Sequence, residues 1–215
     1  MFTGIIEDIG KIGDIRKLDG KWEFYIRTSL NPLGILEGDS IAIDGVCLTA
    51  TRLAQDGFYA DASFETLKMT TLKDKKVGES VNVERAMRAD GRFGGHMVMG
   101  HVDGIGFIRE MKKAGDSVRI EVEVPADIAR YIVKKGSITI DGISLTVNEQ
   151  HDTICVVNII PFTISKTTLK EKKPRDNVNI ETDIFGKYID SFMEKKKSQL
   201  MDINFLYEHG YIKGD

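Results

Sequence analysis

The chain has 215 residues, 41% hydrophobic and 29% charged, with a formal net charge of −3. That is enough apolar content for ordinary cores in one large or two small domains, and the charge balance excludes a nucleic-acid binder built on a basic face. No stretch approaches the ~20 apolar residues of a membrane span. Met1-Phe2-Thr3-Gly4 lacks the basic-then-apolar form of a signal peptide, and Cys47 and Cys155 could form at most one disulfide, so a soluble cytoplasmic protein with reduced thiols is expected.

In chain order, Trp22 to Thr28 reads as the first strand, with β-branched and aromatic residues between turn signals. Asn31 to Gly38 reads as a short helix. Ser40 to Ile43 and Val46 to Thr51 flank Asp44-Gly45, the signature of a tight hairpin with positive φ at the turn. Phe58 to Ala62 is a further strand, and Glu65 to Leu72 a short helix. Arg85 to Gly95 forms a linker ending in Gly91-Arg92-Phe93-Gly94-Gly95. Val118 to Val124 is a strand, and Ala126 to Ile132 a helix that follows Pro125 and stops before Gly136. Ile138 to Ile140 and Ile143 to Val147 repeat the hairpin around Asp141-Gly142, and Thr153 to Ile160 follows as a strand. After Asp183, the residues Phe185, Tyr188, Ile189, Phe192, Leu200, Ile203 and Leu206 fall on one helical stripe, with Lys195-Lys196-Lys197 as a solvated run on the other side. A stripe with no barrel of its own must either cap the chain's barrels or bundle with copies from other subunits.

The chain repeats itself. Ser40 to Ala50 and Ser137 to Val147 match at seven of eleven residues, 97 positions apart. Gly4 to Gly10 resembles Gly100 to Gly106, Glu65 to Leu72 resembles Phe162 to Leu169, and Val81 to Glu84 resembles Val178 to Glu181, in the same order. This is a tandem duplication. Short strands with Gly, Asp and Asn punctuation make each unit a small closed barrel, so the fold is dominated by β-structure with a C-terminal helix.

Chemistry in a duplicated barrel is expected where the copies differ. Cys47 aligns with Ser144, Ile5 with His101 and Glu65 with Phe162, while Thr49 and Thr146 agree. Two aligned small polar residues beside an aligned threonine suggest two similar pockets. The plain structural alternative is a half-polar strand in each barrel. His101 is a polar addition at an otherwise apolar position, which favours ligand binding or acid–base work. His96 and His101 are five apart with no carboxylate or cysteine pattern to complete a metal site. No glycine cluster is followed by the Lys-Ser/Thr of a phosphate loop, and no dinucleotide fingerprint follows a strand. The residues alone therefore describe a protein that binds two similar molecules in unequal ways.

Taken together, Met1 to Ile6, Asp44 to Thr49, Gly94 to Gly104, Lys135 to Ser137, Asp141 to Val147 and Ile159 to Pro161 resemble the riboflavin synthase family of the alpha-chain type, over nearly the whole chain. The resemblance implies two Greek-key-like six-stranded barrels, residues 1–96 and 97–185, followed by an oligomerisation helix, residues 186–215. It implies a homotrimer, no cofactor and no metal, and it brings lumazine synthase into view as a partner. The implied reaction joins two molecules of 6,7-dimethyl-8-ribityllumazine: one donates a four-carbon unit to the other, giving riboflavin and 5-amino-6-(D-ribitylamino)uracil.

Carried over by position, the N-terminal pocket is expected to use Gly4, Ile5, Ile6, Cys47, Leu48 and Thr49, with Asp61, Ala62, Ser63, Phe64, Glu65 and Thr66. The C-terminal pocket is expected to use Gly100, His101, Val102, Lys135, Ser144, Leu145 and Thr146, with Asn158, Ile159, Ile160, Pro161, Phe162, Thr163 and Asp183. The resemblance ties Ser40, Cys47 and His101 to turnover, with His101 reaching the N-terminal pocket from elsewhere. Phe162 stands where family members often carry His or Glu, so no ionisable group is available there. The alternative within the same fold is a non-catalytic lumazine- or flavin-binding antenna protein.

Overall fold

The structure is a computed structural model that describes residues 1–30 and 34–199, with side chains described to residue 194. Twelve strands form two closed antiparallel barrels. The first is built from β1 (Asp8–Leu18), β2 (Lys21–Arg27), β3 (Ser40–Ile43), β4 (Val46–Ala54), β5 (Gly57–Ser63) and β6 (Ser80–Arg85), closing in the order β1-β2-β5-β4-β3-β6. The second is built from β7 (Gly104–Ala114), β8 (Ser117–Glu123), β9 (Ser137–Ile140), β10 (Ile143–His151), β11 (Ile154–Ile159) and β12 (Asn177–Thr182), closing as β7-β8-β11-β10-β9-β12. Even the irregularities repeat. Bulges between Ile12 and Asp14 and between Ala50 and Arg52 recur between Ile108 and Glu110 and between Val147 and Glu149. Each strongly coiled small barrel needs such bends to close.

Each interior is filled by the alternate residues of its strands. Phe24, Ile26, Ile41, Ile43, Leu48, Phe58 and Val83 fill the first, and Ile108, Ile120, Val122, Ile138, Ile140, Val157 and Ile180 the second. Asp44 and Gly45 have φ of 46° and 79°, and Asp141 and Gly142 have 45° and 80°, so both hairpins turn as the Asp-Gly pairs require. The two turns also touch. A Cβ on Gly45 would lie 2.6 Å from the Gly142 backbone nitrogen.

Polar groups shared across this contact lock the barrels together. Asn82 donates to the Asp141 carbonyl at 2.8 Å and accepts from the Thr168 N–H at 2.8 Å. Asn179 does the same with the Asp44 carbonyl at 2.9 Å and the Thr71 N–H at 2.8 Å. Both buried aspartates pair with a lysine at 2.7 Å, Asp44 with Lys75 and Asp141 with Lys172.

The strands read from the sequence are present. Four more, β1, β6, β7 and β12, are not obvious from it, because charges and the glycines of β1 and β7 interrupt their apolar alternation. In β1 the glycine has a steric reason: a Cβ on Gly10 would lie 2.7 Å from the Arg27 carbonyl oxygen. The helix expected over Glu65 to Leu72 is split into α1 (Phe64–Met69) and a 3₁₀ turn at Thr71–Asp74. Thr70 breaks it by leaving helical geometry, with its hydroxyl donating to the Thr66 carbonyl and accepting from the Leu72 N–H. The helix after Pro125 is a single turn, α2 (Ala126–Ala129), rather than reaching Ile132. The helix α3 (Pro161–Ser165), the counterpart of α1, follows β11. Of the helix expected over Asn31 to Gly38, residues 31–33 lie outside the described residues, and residues 34–38 are not helical. The C-terminal helix α4 (Ile184–Gln199) is present, and Leu200, Ile203 and Leu206 of its stripe lie outside the described residues. Phe185, Tyr188, Ile189 and Phe192 are exposed along it. Its base is tied to the second barrel by Lys187 with Asp103 and by Arg130 with Asp190.

Candidate active site

The polar strand residues expected to line the two pockets lie on the outer faces of the barrels. Along β3 and β4, Ile41, Ile43, Leu48 and Ala50 point inward. Ser40 opposite Thr49 and Ala42 opposite Cys47 therefore occupy the outer face. On β5 the same alternation buries Ala60 and Ala62 and turns Asp61 and Ser63 outward. The second barrel repeats this with Ser144 and Thr146 on β10, and with Asn158 and Ile160 at the end of β11. Leu48, Leu145, Ala62 and Ile159 are buried inside the barrels, so on these faces they present backbone rather than side chain.

A correction concerns which segment completes which pocket. The chain before β1 and the chain before β7 cross. Phe2 and Val98 pair, with N–H to carbonyl distances of 2.7 and 3.1 Å. Beyond the crossing, Ser144 N–H donates to the Gly4 carbonyl at 2.8 Å and Cys47 N–H donates to the Gly100 carbonyl at 2.9 Å. Ile6 packs against the core of the second barrel and Val102 against that of the first. Gly4 thus lies beside Ser144 with Ile6 on the second barrel, and Gly100 beside Cys47 with Val102 on the first, the reverse of the assignment by position, while Ile5 lines a cavity with Thr3, Ser40 and Glu84. The arms are exchanged because the barrels meet closely at their Asp-Gly turns, which puts each arm within reach of its neighbour's outer face. Both glycines are necessary. Gly4 has φ of 76° and a Cβ there would lie 2.6 Å from Ser144 Cβ, while Gly100 has φ of 74° and would meet Cys47 Cβ at 2.6 Å.

Two buried carboxylates hold the arms, and sequence reasoning missed both. Glu84 accepts from Thr3 N–H at 2.8 Å, from the Thr3 hydroxyl at 3.1 Å and from Gly4 N–H at 3.0 Å. Glu181 accepts from Met99 N–H at 2.7 Å and Gly100 N–H at 3.0 Å. Burial pushes the Glu181 carboxyl up to about 7 against the opposing pull of those N–H groups, and burial raises Glu84 as well. The signal in the sequence was their alignment at the end of the Val-Asn-Val-Glu and Val-Asn-Ile-Glu strands, which are buried on both faces.

The polar residues at the two centres have different surroundings. Cys47 packs against an apolar cluster of Phe2, Ala42 and Val98. Ser144 instead meets a histidine: His96 Nδ1 lies 2.7 Å from its hydroxyl and His96 Nε2 lies 3.2 Å from the Thr139 hydroxyl. Burial holds this imidazole below its ordinary pKa, opposed by Asp183, so it bridges the two hydroxyls as a neutral ring. His96 and His101 therefore serve different pockets. His101 is exposed between Gly100 and Val102, as is Ile5 at the equivalent place. Cys155 points into the second core, and burial pushes its thiol up to about 12, so it is chemically inert.

The remaining expected residues frame the pockets or support them. Ser63 caps α1, accepting from Thr66 N–H at 3.1 Å and contacting the Thr66 hydroxyl at 2.9 Å. Phe64, Glu65, Pro161 and Phe162 lie exposed on the first turns of α1 and α3, with Thr163 behind them on α3. Asp61 pairs with Lys21. Lys135 is exposed in a tight turn with φ of 68°, its N–H donating to the Val147 carbonyl. Asp183 caps α4 by accepting from Phe185 N–H at 3.0 Å. Among the described residues no group of three His, Cys, Asp or Glu side chains is placed to hold a metal ion, and no helix is long and apolar enough to cross a membrane.

Comparison with known proteins matches the duplication unit by unit. The lumazine binding domain family fits residues 3–86 and again 99–183. A riboflavin synthase of Actinobacillus pleuropneumoniae is 48% identical over 98% of this chain and 100% of its own, and that of Bacillus subtilis is 40% identical over 98% and 100%. Among solved structures, LumP complexed with 6,7-dimethyl-8-(1'-D-ribityl) lumazine superposes with a TM-score of 0.76 at 26% identity, covering 85% of this chain and 99% of LumP. With both repeats matched and full-length relatives well above 30% identity, the chain belongs to the riboflavin synthase family of proteins with two lumazine-binding domains.

Proposed function

We propose that this chain is a riboflavin synthase, a transferase that moves a four-carbon unit between two molecules of 6,7-dimethyl-8-ribityllumazine to give riboflavin and 5-amino-6-(D-ribitylamino)uracil. The observation that carries this reading is a pair of matching outer-face pockets made unequal at their centres, Cys47 with His101 in one and Ser144 with Ile5 in the other. A reaction between two copies of one molecule needs two similar seats that treat their occupants differently. Holding both reactants in register removes an entropic barrier that can reach ~7–11 kcal/mol in ideal cases.

In this reading Cys47, His101 and Ser40 support turnover at the first pocket. His101 takes the proton released at the substrate's acidic 7-methyl group, and Cys47 assists addition to the ring. Ser144, Thr146, Lys135 and Asp183 hold the second lumazine and its ribityl chain. Domain limits at 1–96, 97–185 and 186–215 go with this reading. The pockets lie on outer faces, so pairing an occupied Cys47 pocket with an occupied Ser144 pocket calls for a second copy. The exposed stripe Phe185, Tyr188, Ile189 and Phe192 on α4 suits assembly into a homotrimer. A cytoplasmic setting and a complex with lumazine synthase belong to the same reading.

The likeness to LumP favours one other reading, a protein that binds lumazine without converting it. Incubating the purified protein with the lumazine separates the two. Riboflavin absorbance with release of the pyrimidine is the expected result. Persistent lumazine fluorescence without product would replace the enzyme by a binding protein. The mass of the assembly with and without residues 186–215 tests the trimer.

A further inference from the structure

We propose that Glu181 is a positioning residue for the first pocket: buried on the face of β12 opposite the second core, it holds the arm that sets Gly100 against Cys47 and carries His101. The inference rests on the reading above and adds a residue to it. The arm from Met99 to Val102 has few fixings of its own. Its Gly100 carbonyl accepts from Cys47 N–H at 2.9 Å, and Val102 packs on the first core. Between crossing point and pocket, the two N–H groups of Met99 and Gly100 both end on the Glu181 carboxylate. Glu181 is 4% exposed. Its charged neighbours are Asp103, which precedes β7, and Lys187 of α4, itself paired with Asp103.

Two neighbouring N–H groups call for an acceptor that offers an oxygen lone pair to each. The Glu181 carboxylate does so with one oxygen for each, whereas an amide held in the same orientation turns its NH₂ toward one of the N–H groups. Among the described residues Glu181 bonds the Met99 and Gly100 N–H groups rather than His101, so it acts by fixing where the peptide before His101 lies. Gly100, with its left-handed φ of 74°, is the hinge through which that fixing reaches the imidazole. Glu84 holds the opposite arm at Thr3 and Gly4 in the same manner, and so provides an internal comparison.

The test is a double-mutant cycle on the full chain with Glu181→Gln, Glu84→Gln and His101→Ala. Glu181→Gln is expected to lower kcat on the order of tenfold to a hundredfold through misplacement of His101, with KM changed less than about threefold. In the His101→Ala background the same change is expected to have almost no further effect, whereas Glu84→Gln still multiplies with His101→Ala. A role limited to general stability would leave the two losses multiplicative, and that result overturns the proposal. Saturation by Glu84→Gln as well would overturn the specific link from Glu181 to the His101 arm. Wild-type protein is assayed alongside. If it makes no riboflavin, the enzyme reading fails on its own, and lumazine fluorescence titration decides the proposal: Glu181→Gln and His101→Ala must then weaken the same one of two binding sites, and a loss at the other site overturns it. Where Glu181→Gln fails to fold, Glu181→Asp in the same cycle is expected to show a smaller kcat loss that also vanishes without His101; a loss that persists overturns the proposal.

Discussion

The two barrels share strand order, bulge positions and Asp-Gly turns, yet the side chains at their pocket centres live in different chemical worlds. In the first, a thiol sits in an apolar cluster with an exposed histidine on the adjoining arm. In the second, a hydroxyl is tied to a buried neutral imidazole, and the arm carries isoleucine. The scaffold is duplicated, and the two pocket centres differ in a few residues placed on it. What can be exchanged between the barrels, and what cannot, is therefore open to experiment.

The most disruptive change should be Gly100→Ala. The new Cβ meets Cys47 Cβ at 2.6 Å in a left-handed backbone, so the arm must leave the pocket. A stability loss of roughly 1–3 kcal/mol in urea unfolding and a fall in turnover beyond about a hundredfold are expected. Gly4→Ala should match the stability loss and thereby show how alike the two crossings are.

The comparison sharpens at the next residue along each arm. His101→Ala should lower kcat by about a hundredfold. Ile5→Ala, at the equivalent place, should raise KM by no more than about fivefold, in keeping with a few lost apolar contacts. Equal effects on kcat would erase the proposed inequality of the pockets.

The buried carboxylates predict a pH dependence. Glu181 titrates near 7 in the fold and near 4.5 unfolded, so between those values the native state holds the extra proton. Its contribution to stability is therefore lost as pH rises from about 4.5 to 7, and the charged form remains costly above that. Thermal unfolding across this range should show the decline in wild type and a flatter profile in Glu181→Gln. A wild-type profile that rises with pH and does not respond to the substitution would contradict the buried, proton-binding carboxyl.

The smallest effect should be Ser144→Ala. It leaves His96 Nδ1 without its 2.7 Å partner and should cost about 1 kcal/mol, with turnover reduced only severalfold. Cys47→Ala should leave stability nearly unchanged, since its neighbours are apolar, and should act on turnover instead.

The fold was largely legible because duplication shows twice whatever one copy shows faintly. The Asp44-Gly45 and Asp141-Gly142 hairpins and the matching of Cys47 and Thr49 with Ser144 and Thr146 on equivalent strands all followed from local pattern. β1, β6, β7 and β12 were harder, since charged residues and, in β1 and β7, glycines at close backbone approaches hide their alternation. The site was legible as a set of residues and illegible as a pairing. Nothing local in Gly4-Ile5-Ile6 or Gly100-His101-Val102 says which barrel receives it, because that is decided by the crossing at Phe2 and Val98. Glu84 and Glu181 were overlooked for a related reason: their partners are backbone N–H groups about eighty positions away.

The crossing has a bearing on descent. Cys47 belongs to the first repeat and His101 to the second, so neither repeat by itself holds the Cys–His combination. A substitution at either place alters a seat that the other repeat also helps to build. The repeats are thus bound to evolve as one lineage, and the individuality of either pocket is a joint inheritance.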